Sequence, residues 1–598
     1  MGEWGNVMNQ DQKLLPFRAQ PEDFTVLKDE HCYYVDKTGF IRYLIEKGDK
    51  ICVFTRPRRF GKTLMLRTLQ TFFEYRLGED GRPVDNRRYF EGLNVMDAGE
   101  DVLKHLGRYP VISLSLKDVK ADTVEMVAAQ MRGAVRRACV PFESLLKDSG
   151  VLSDGQLKTF QGYLDRTVAV DDLMQFLEIM TDWLFKATHR KTVILLDEYD
   201  VPLQQAAIYD IQHPGSDLFN QTVKLVGNFI SGGFKSNSNL AYGIITGCMC
   251  VAKESIFTGM NNPGVITVFD DIPDEYWGIT EPEVKQMLSY YGIGEWFDRI
   301  EQWYDGYYYS NRRVFNPWSL LNAIRGLVNG YGENAIKAYW GLTSGNDIID
   351  DMIDRNPRYR ESLAKLMNGE TMWVPIYENI SYRDLKENPD SVWSFLVYTG
   401  YLKNVHIKKN DDDMLEAEVA IPNTEIKTLM KQSLNRWWKN IRLACYDSAP
   451  LLQALWDGDI AGIERETCAI MDDCISVNDA KEDFYHGMLV GVLRTQGNVK
   501  SNREYGEGRP DIVFKDRNRA IILELKCLLP SVVNKYPLEQ QFEKVPLMMQ
   551  ALLDEAEAQI KMRYYVKGLM FEEPNIIEVK TYAMCFCKKR CSVREIKE

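Results

Sequence analysis

The feature that most constrains this chain is a short apolar run, Ile51-Cys52-Val53-Phe54, that passes through Arg56-Pro57-Arg58-Arg59-Phe60-Gly61-Lys62-Thr63 into Leu64 to Phe73, a helix-length stretch with apolar residues at helical spacing. A strand therefore turns directly into a helix. In a loop of this kind the backbone N–H groups and the helix N-terminus hold phosphates, the lysine reaches the outer phosphates and the hydroxyl binds Mg²⁺. Arg56, Arg59, Gly61, Lys62 and Thr63 are the candidate contacts, with Lys62 expected on an exposed loop. One departure stands out: the glycine that usually opens such a loop is replaced by Arg56, whose β-carbon restricts the turn.

Two further apolar runs end in polar residues. Lys191-Thr192-Val193-Ile194-Leu195-Leu196-Asp197-Glu198 reads as a buried parallel strand closing on two carboxylates, Asp197 placed to hold Mg²⁺ through water and Glu198 to orient or deprotonate the attacking water. Leu240 to Ile245 ends in Thr246-Gly247, where a polar sensor of the terminal phosphate is expected. Three such strands with helices between them predict an α/β sheet whose ligands sit at the strands' carboxyl ends.

A second chemistry lies near the other end. Pro510-Asp511-Ile512-Val513-Phe514 and Ala520-Ile521-Ile522-Leu523-Glu524-Leu525-Lys526 read as strands joined by Asp516-Arg517-Asn518-Arg519. If the turn closes a simple hairpin, Lys515 faces Ala520 and Asp511 lies opposite Glu524, about 5 Å away at the β-carbons. Two carboxylates so placed can share one Mg²⁺, and Lys526, on the same face as Glu524, can steady an attacking water or developing phosphorane charge. Upstream, Lys481 to Val490 reads as a helix with Glu482 and His486 on one face. Downstream, Ala551 to Tyr564 reads as a helix carrying Gln559 and Tyr564.

Tyr34-Val35-Asp36-Lys37-Thr38, the Arg56–Thr63 loop, Leu196-Asp197-Glu198-Tyr199-Asp200-Val201-Pro202-Leu203, Ala252-Lys253-Glu254-Ser255-Ile256-Phe257, Tyr304-Asp305-Gly306-Tyr307 and Asn316-Pro317-Trp318 together resemble the bacterial AAA-ATPase-like proteins fused to a PD-(D/E)XK nuclease-superfamily domain. The resemblance extends over nearly the whole chain and accounts for Arg56, because members look like this at the loop. It implies an α/β multidomain fold: a P-loop ATPase sheet over 1–300, a helical and winged-helix-like region over 301–455, and a nuclease-like α/β domain over 456–598. It also implies ATP and Mg²⁺ as cofactors, with Mn²⁺ as an alternative at the nuclease site. Glu482, His486 and Gln559 join Asp511, Glu524 and Lys526 as catalytic candidates by this resemblance, since the first helix of the superfamily often adds a carboxylate and some relatives carry a glutamine-bearing helix. The expected partner is nucleic acid, DNA ahead of RNA, with bacterial defence as a fitting role and a homo-oligomer compatible with it. Two other readings stay open: a signalling or assembly ATPase whose nuclease-like fold only binds, and a nucleotide-controlled RNA-cleaving effector.

The formal charge of −13 speaks against nucleic acid coating the whole surface, because phosphate binding needs cations to displace counterions. A local basic path is still open, and Lys500, Arg503 and Arg509 approach the second motif. Twelve scattered cysteines without a paired framework, no signal-like start and no bilayer-length apolar stretch point to a reduced cytoplasmic protein without a membrane partner. Cys585 and Cys587 are expected as buried or incidental thiols on a strand, and Lys408 to Asp413 as a solvated hairpin tip.

Overall fold

Five strands, β1 Ile51–Thr55, β2 Val111–Ser115, β3 Thr192–Asp197, β4 Leu240–Gly247 and β5 Gly264–Ile266, form the first sheet in the computed structural model of the chain. The structure describes residues 14–18, 23–78, 81–249, 263–270, 276–309, 312–340, 357–367, 369–377, 388, 390–431, 449–474, 482–494, 498–501, 505 and 508–597. Ala252–Phe257 and Arg503, named above, lie outside them, as does Lys481. Every neighbouring pair is parallel, in the order β2-β3-β4-β1-β5. Parallel neighbours need crossover connections. Helices supply them, among them α1 Lys62–Phe73 after β1, α2 Val124–Cys139 after β2 and α3 Leu218–Phe234 before β4. With helices on both faces, β1 and β3 are buried at every position instead of alternating. The chain leaves β1 for the β2 edge and returns through β3 to β4 beside β1, so the strand order reverses there. The carboxyl ends of β1, β3 and β4 border the crevice where such sheets bind ligands.

The chain divides into two compact units, Met1–Gly345 with Leu366–Leu429, and Asn346–Lys365 with Met430–Glu598. Besides the large sheet, the first unit holds a small one of β6 Ile279–Thr280, β7 Tyr307–Tyr309 and β8 Arg312–Phe315. It also holds β9 Met372–Pro375 and α4 Ser391–Thr399, which leads into the hairpin of β10 Lys403–Lys409 and β11 Leu415–Ala420. A helix followed by a hairpin wing is the winged-helix-like part of the middle region, and the charged tip of that hairpin is exposed. Gly400, at φ 86°, ends α4 and turns the chain toward β10. A β-carbon at Gly400 would stand 3.0 Å from Pro57, so this helix end packs directly on the phosphate loop.

In the second unit the order is β12-β13-β14-β15-β16, formed by Asn498–Ser501, Ile512–Asp516, Arg519–Cys527, Glu578–Cys587 and Arg590–Glu595. A two-residue turn with Arg517 at φ 55° closes the β13–β14 hairpin and pairs Lys515 with Ala520. β14 and β15 are parallel, and the crossover between them contains the long helix α6 Leu538–Arg563; α5 Glu482–Arg494 precedes β12. Alternation divides the side chains of β14 between two cores. Ile521, Leu523 and Leu525 pack toward α5, while Ala520 and Ile522 pack toward α6. Cys585 and Cys587 lie on β15 and are buried.

Candidate functional site

At the first site, the left-handed backbone positions of the loop are Arg59, φ 70°, and Gly61, φ 78°. Position 56 needs no positive φ, which is why arginine is tolerated where glycine is usual. The Arg56 side chain turns into the protein interior. It is fully buried, with Nη1 donating to the Thr55 carbonyl at 2.8 Å and the Ile266 carbonyl at 3.5 Å, and its backbone N–H donates to the Gly247 carbonyl at 3.2 Å. Arg59 stacks over Trp318 at 3.9 Å, and Phe60 meets Tyr307 edge-on at 5.1 Å.

Lys62 is buried too, 6 % exposed, contrary to its expected place on an open loop. As the first residue of α1 it turns back, and its Nζ donates to the carbonyls of Arg56 and Pro57, each at 2.9 Å. Those carbonyls offset the cost of burying an ammonium. Asp197, at the end of β3, ties the end of β4 to the first turn of α1. Its Oδ2 accepts from Thr63 Oγ1 at 2.7 Å and its Oδ1 from Thr246 Oγ1 at 2.6 Å. Thr63 and Asp197 could hold a cation beside a phosphate, with Lys62 as the adjacent positive charge.

Glu198 follows β3 with φ 52°, a conformation that disfavours a non-glycine residue and recurs at functional sites. Burial, then the neighbouring Asp197 charge, raise its carboxyl above the usual range, while Lys62 and Arg58 oppose the rise. Asp200, three residues past the end of β3 and not marked by the carboxylate signal there, also braces the site. Buried, it accepts from the N–H groups of Cys248 at 2.9 Å and Met249 at 3.1 Å, which holds the turn after Thr246 in place.

The second site is built on the hairpin. Asp511 stands one residue before the last pair, Ile512 with Leu523, and its Oδ2 accepts from the Leu525 N–H at 2.7 Å. Glu524 is 2 % exposed, and its Oε2 has no hydrogen-bond partner among the described residues. Burial, then the Asp511 charge, push its carboxyl up to about 8, with Lys526 opposing and Glu482 adding to the rise. Lys526 Nζ lies 3.9 Å from Glu524 Oε1 and donates to Gln559 Oε1 at 3.0 Å. His486 Nε2 is 3.0 Å from the Asp511 carbonyl, which makes that nitrogen a donor. Glu482 is exposed in the first turn of α5.

Tyr565, not Tyr564, completes the group. Gln559 Nε2 donates to its hydroxyl at 3.2 Å, whereas Tyr564 is the left-handed residue, φ 51°, that ends α6. Among the described residues no three His, Cys, Asp or Glu side chains form a ready metal cluster. The donor set is a carboxylate pair. A buried carboxylate oxygen with no partner among the described residues, beside a second carboxylate, nevertheless suits a divalent cation, which would offset the burial and the Asp511 repulsion that raise the Glu524 carboxyl.

That chemistry predicts a pH signature. Glu524 must ionise to bind metal, so divalent affinity is expected to rise with pH and level off above about 8. Without metal the sign of the stability effect follows from proton binding. The folded state holds a proton that the unfolded chain releases near its ordinary value, so Glu524's contribution is present at low pH and lost as pH rises through about 8. Thermal melting of metal-free protein between pH 5 and pH 9, with Glu524→Gln as control, tests this. A Glu524→Gln protein with the wild-type pH dependence of melting would rule it out.

A parallel sheet with a phosphate-shaped loop, joined to a hairpin with a carboxylate pair, Glu524 buried and Asp511 half-buried, and a lysine, defines an ATPase-like protein with a nuclease-like second unit. Residues 21–257 match the family described as predicted AAA-ATPase, and residues 480–596 match the PD-(D/E)XK nuclease superfamily, so the chain carries both domains, the nuclease-superfamily one at its C-terminal side. An uncharacterized protein from the vnfD 5′ region of Azotobacter chroococcum mcd 1 is 25% identical over 362 residues, covering 60% of this chain and 60% of that protein. No solved structure matches. Among the described residues no helix is long and apolar enough to cross a membrane.

Proposed function

We propose that the protein binds and hydrolyses ATP in its first unit and cuts nucleic acid, DNA ahead of RNA, in its second. The observation that carries the nuclease reading is Glu524, buried beside Asp511 with an unpartnered oxygen, next to a lysine held by Gln559. Asp511 and Glu524 would hold Mg²⁺ or Mn²⁺. When bound, the cation supplies Lewis-acid polarisation of the scissile phosphate. Lys526 steadies the attacking water and the charge that grows on the phosphate, Gln559 fixes the lysine, and His486 braces the Asp511 backbone.

In the first unit, Lys62 and the N-terminus of α1 hold the phosphates of ATP, and Thr63 with Asp197 would hold its Mg²⁺. Glu198 polarises the attacking water and Thr246 senses the terminal phosphate. Glu198→Gln is expected to keep ATP affinity and to lose turnover by about 100-fold or more, the usual contribution of a positioned general base. A steady-state assay beside a binding titration decides it, and a variant that hydrolyses ATP normally rules out Glu198 as the base. Conditional cutting under nucleotide control suits defence against foreign nucleic acid.

The deciding experiment is incubation of the purified protein with single- and double-stranded DNA and RNA, with and without ATP, in Mg²⁺ or Mn²⁺. Metal-dependent cleavage absent from Asp511→Asn supports the reading. Binding without cleavage in every condition would leave a binding module, and cleavage of RNA alone an RNA-directed effector.

A further inference from the structure

The end of the first sheet opposite the phosphate loop carries a second concentration of positive charge. Lys50 immediately precedes β1, Arg108 lies just before β2, and Arg190 and Lys191 precede β3. With Tyr109 and Tyr242 they line a groove of about 580 Å³, and no carboxylate lines it. None of the four cations makes an ion pair with a described carboxylate. In a chain with formal charge −13, four unneutralised cations in one groove are a local reversal of sign.

The groove is built, not incidental. Arg190 is fixed by donating to the Arg108 carbonyl at 3.2 Å and by stacking over Tyr75 at 4.3 Å. Tyr242 stacks on Phe73 at 5.4 Å, and the Tyr109 hydroxyl meets His105 Nδ1 at 2.6 Å. Burial, then the charge of Lys191, push the Lys50 amine below its ordinary value, as two cations without an anion between them would.

We infer that this groove binds a single strand of nucleic acid through its phosphates, with the two tyrosines beside the bases. Cations tracking a backbone and aromatic rings alongside are the common apparatus of sequence-tolerant strand binding. The charges belong to β2, β3 and β1, which the sheet order spreads over three interstrand steps, about 14 Å. A line of that length fits successive phosphates, not one. A six-residue strand such as β3 separates this edge from the ATP crevice by about 20 Å, so the sites can be altered independently. The choice of ligand rests on the proposed action on nucleic acid; the groove itself does not.

The test uses full-length protein carrying Asp511→Asn, so that binding is read without cutting. Fluorescence anisotropy of a labelled single-stranded oligonucleotide, and of a duplex of equal length, is followed across a salt series. Arg108→Glu with Lys191→Glu, both at exposed positions, is expected to weaken single-strand binding at least about 10-fold and to reduce the salt slope by about 1.4, at roughly 0.7 for each phosphate no longer neutralised. Arg108→Ala with Lys191→Ala should show a smaller loss of the same kind, and ATP affinity should not change in either. Unchanged affinity and slope, or tighter binding of duplex than of single strand, overturns the inference. If wild type cuts while the groove variants bind normally, only the groove fails. If the groove variants lose binding although wild type never cuts, the groove stands and the nuclease reading falls.

Discussion

Asp511→Asn and Glu524→Gln are each expected to reduce divalent-dependent cleavage by about 100-fold or more, on the scale of losing a preorganised charge that acts in the transition state. Both are close in shape to the native residue, which separates chemistry from folding. An asparagine at 511 can still accept the Leu525 N–H that Asp511 Oδ2 now accepts. A glutamine at 524 removes a carboxylate that is buried beside another, so Glu524→Gln should melt higher than wild type in metal-free buffer at pH 9 while losing activity. Lys526→Ala should slow cleavage to a similar degree yet keep the metal-induced rise in melting temperature, because the lysine is no metal ligand. Equal cleavage by wild type and all three variants would point to another site or a contaminating nuclease.

Much of this arrangement is legible in the amino-acid order because local chemistry settles it. The hairpin is the clearest case. A two-residue turn pins Lys515 opposite Ala520, and alternation then places Glu524 and Lys526 on one face with Leu525 on the other. The strand–loop–helix at 51–73 is equally local, since its apolar run and its glycine mark the turn. What depends on packing across the fold is not legible. Nothing near Asp197 says that β4 lies between β1 and β3, so its simultaneous grip on Thr63 and Thr246 emerges only from the sheet order.

Three side chains show the same limit. Arg56 reads as a surface cation until the sheet is in place, where its guanidinium is buried against the Thr55 carbonyl of β1 and the Ile266 carbonyl of β5. Lys62 looks exposed until the loop folds back over it. Tyr565 escapes because six residues after Gln559 is the wrong face of a continuous helix; the left-handed turn at Tyr564 ends α6 and brings the next residue back. In each case a distant strand or a single backbone reversal decides where the side chain goes.

The burial of Lys62 changes how its role should be tested. Lys62→Ala would leave the carbonyls of Arg56 and Pro57 without their donor, at about 1–3 kcal/mol for a buried group left unsatisfied, so lost ATP binding could reflect a disturbed loop. Lys62→Arg keeps a positive donor for those carbonyls but replaces a compact ammonium with a planar fork that cannot take the same place between phosphates. It is expected to fold with near wild-type melting and to bind ATP about 100-fold more weakly, as losing charge-assisted hydrogen bonds of about 1.5–3 kcal/mol implies. Titration calorimetry with ATP and Mg²⁺ measures this, and unchanged affinity in both variants would remove Lys62 from the nucleotide site. Lys62→Arg also reports on coupling. Nucleotide can control cutting only if it binds two states of the protein unequally. Wild-type cleavage should therefore respond to ATP, and cleavage by Lys62→Arg should run at one rate with or without it. Nucleic acid should in turn shift the ATP affinity of wild type by the factor by which ATP shifts nucleic-acid affinity, since coupling between the binding of two ligands is reciprocal. A wild-type protein whose cutting ignores ATP and whose ATP affinity ignores DNA and RNA would carry two independent activities on one chain.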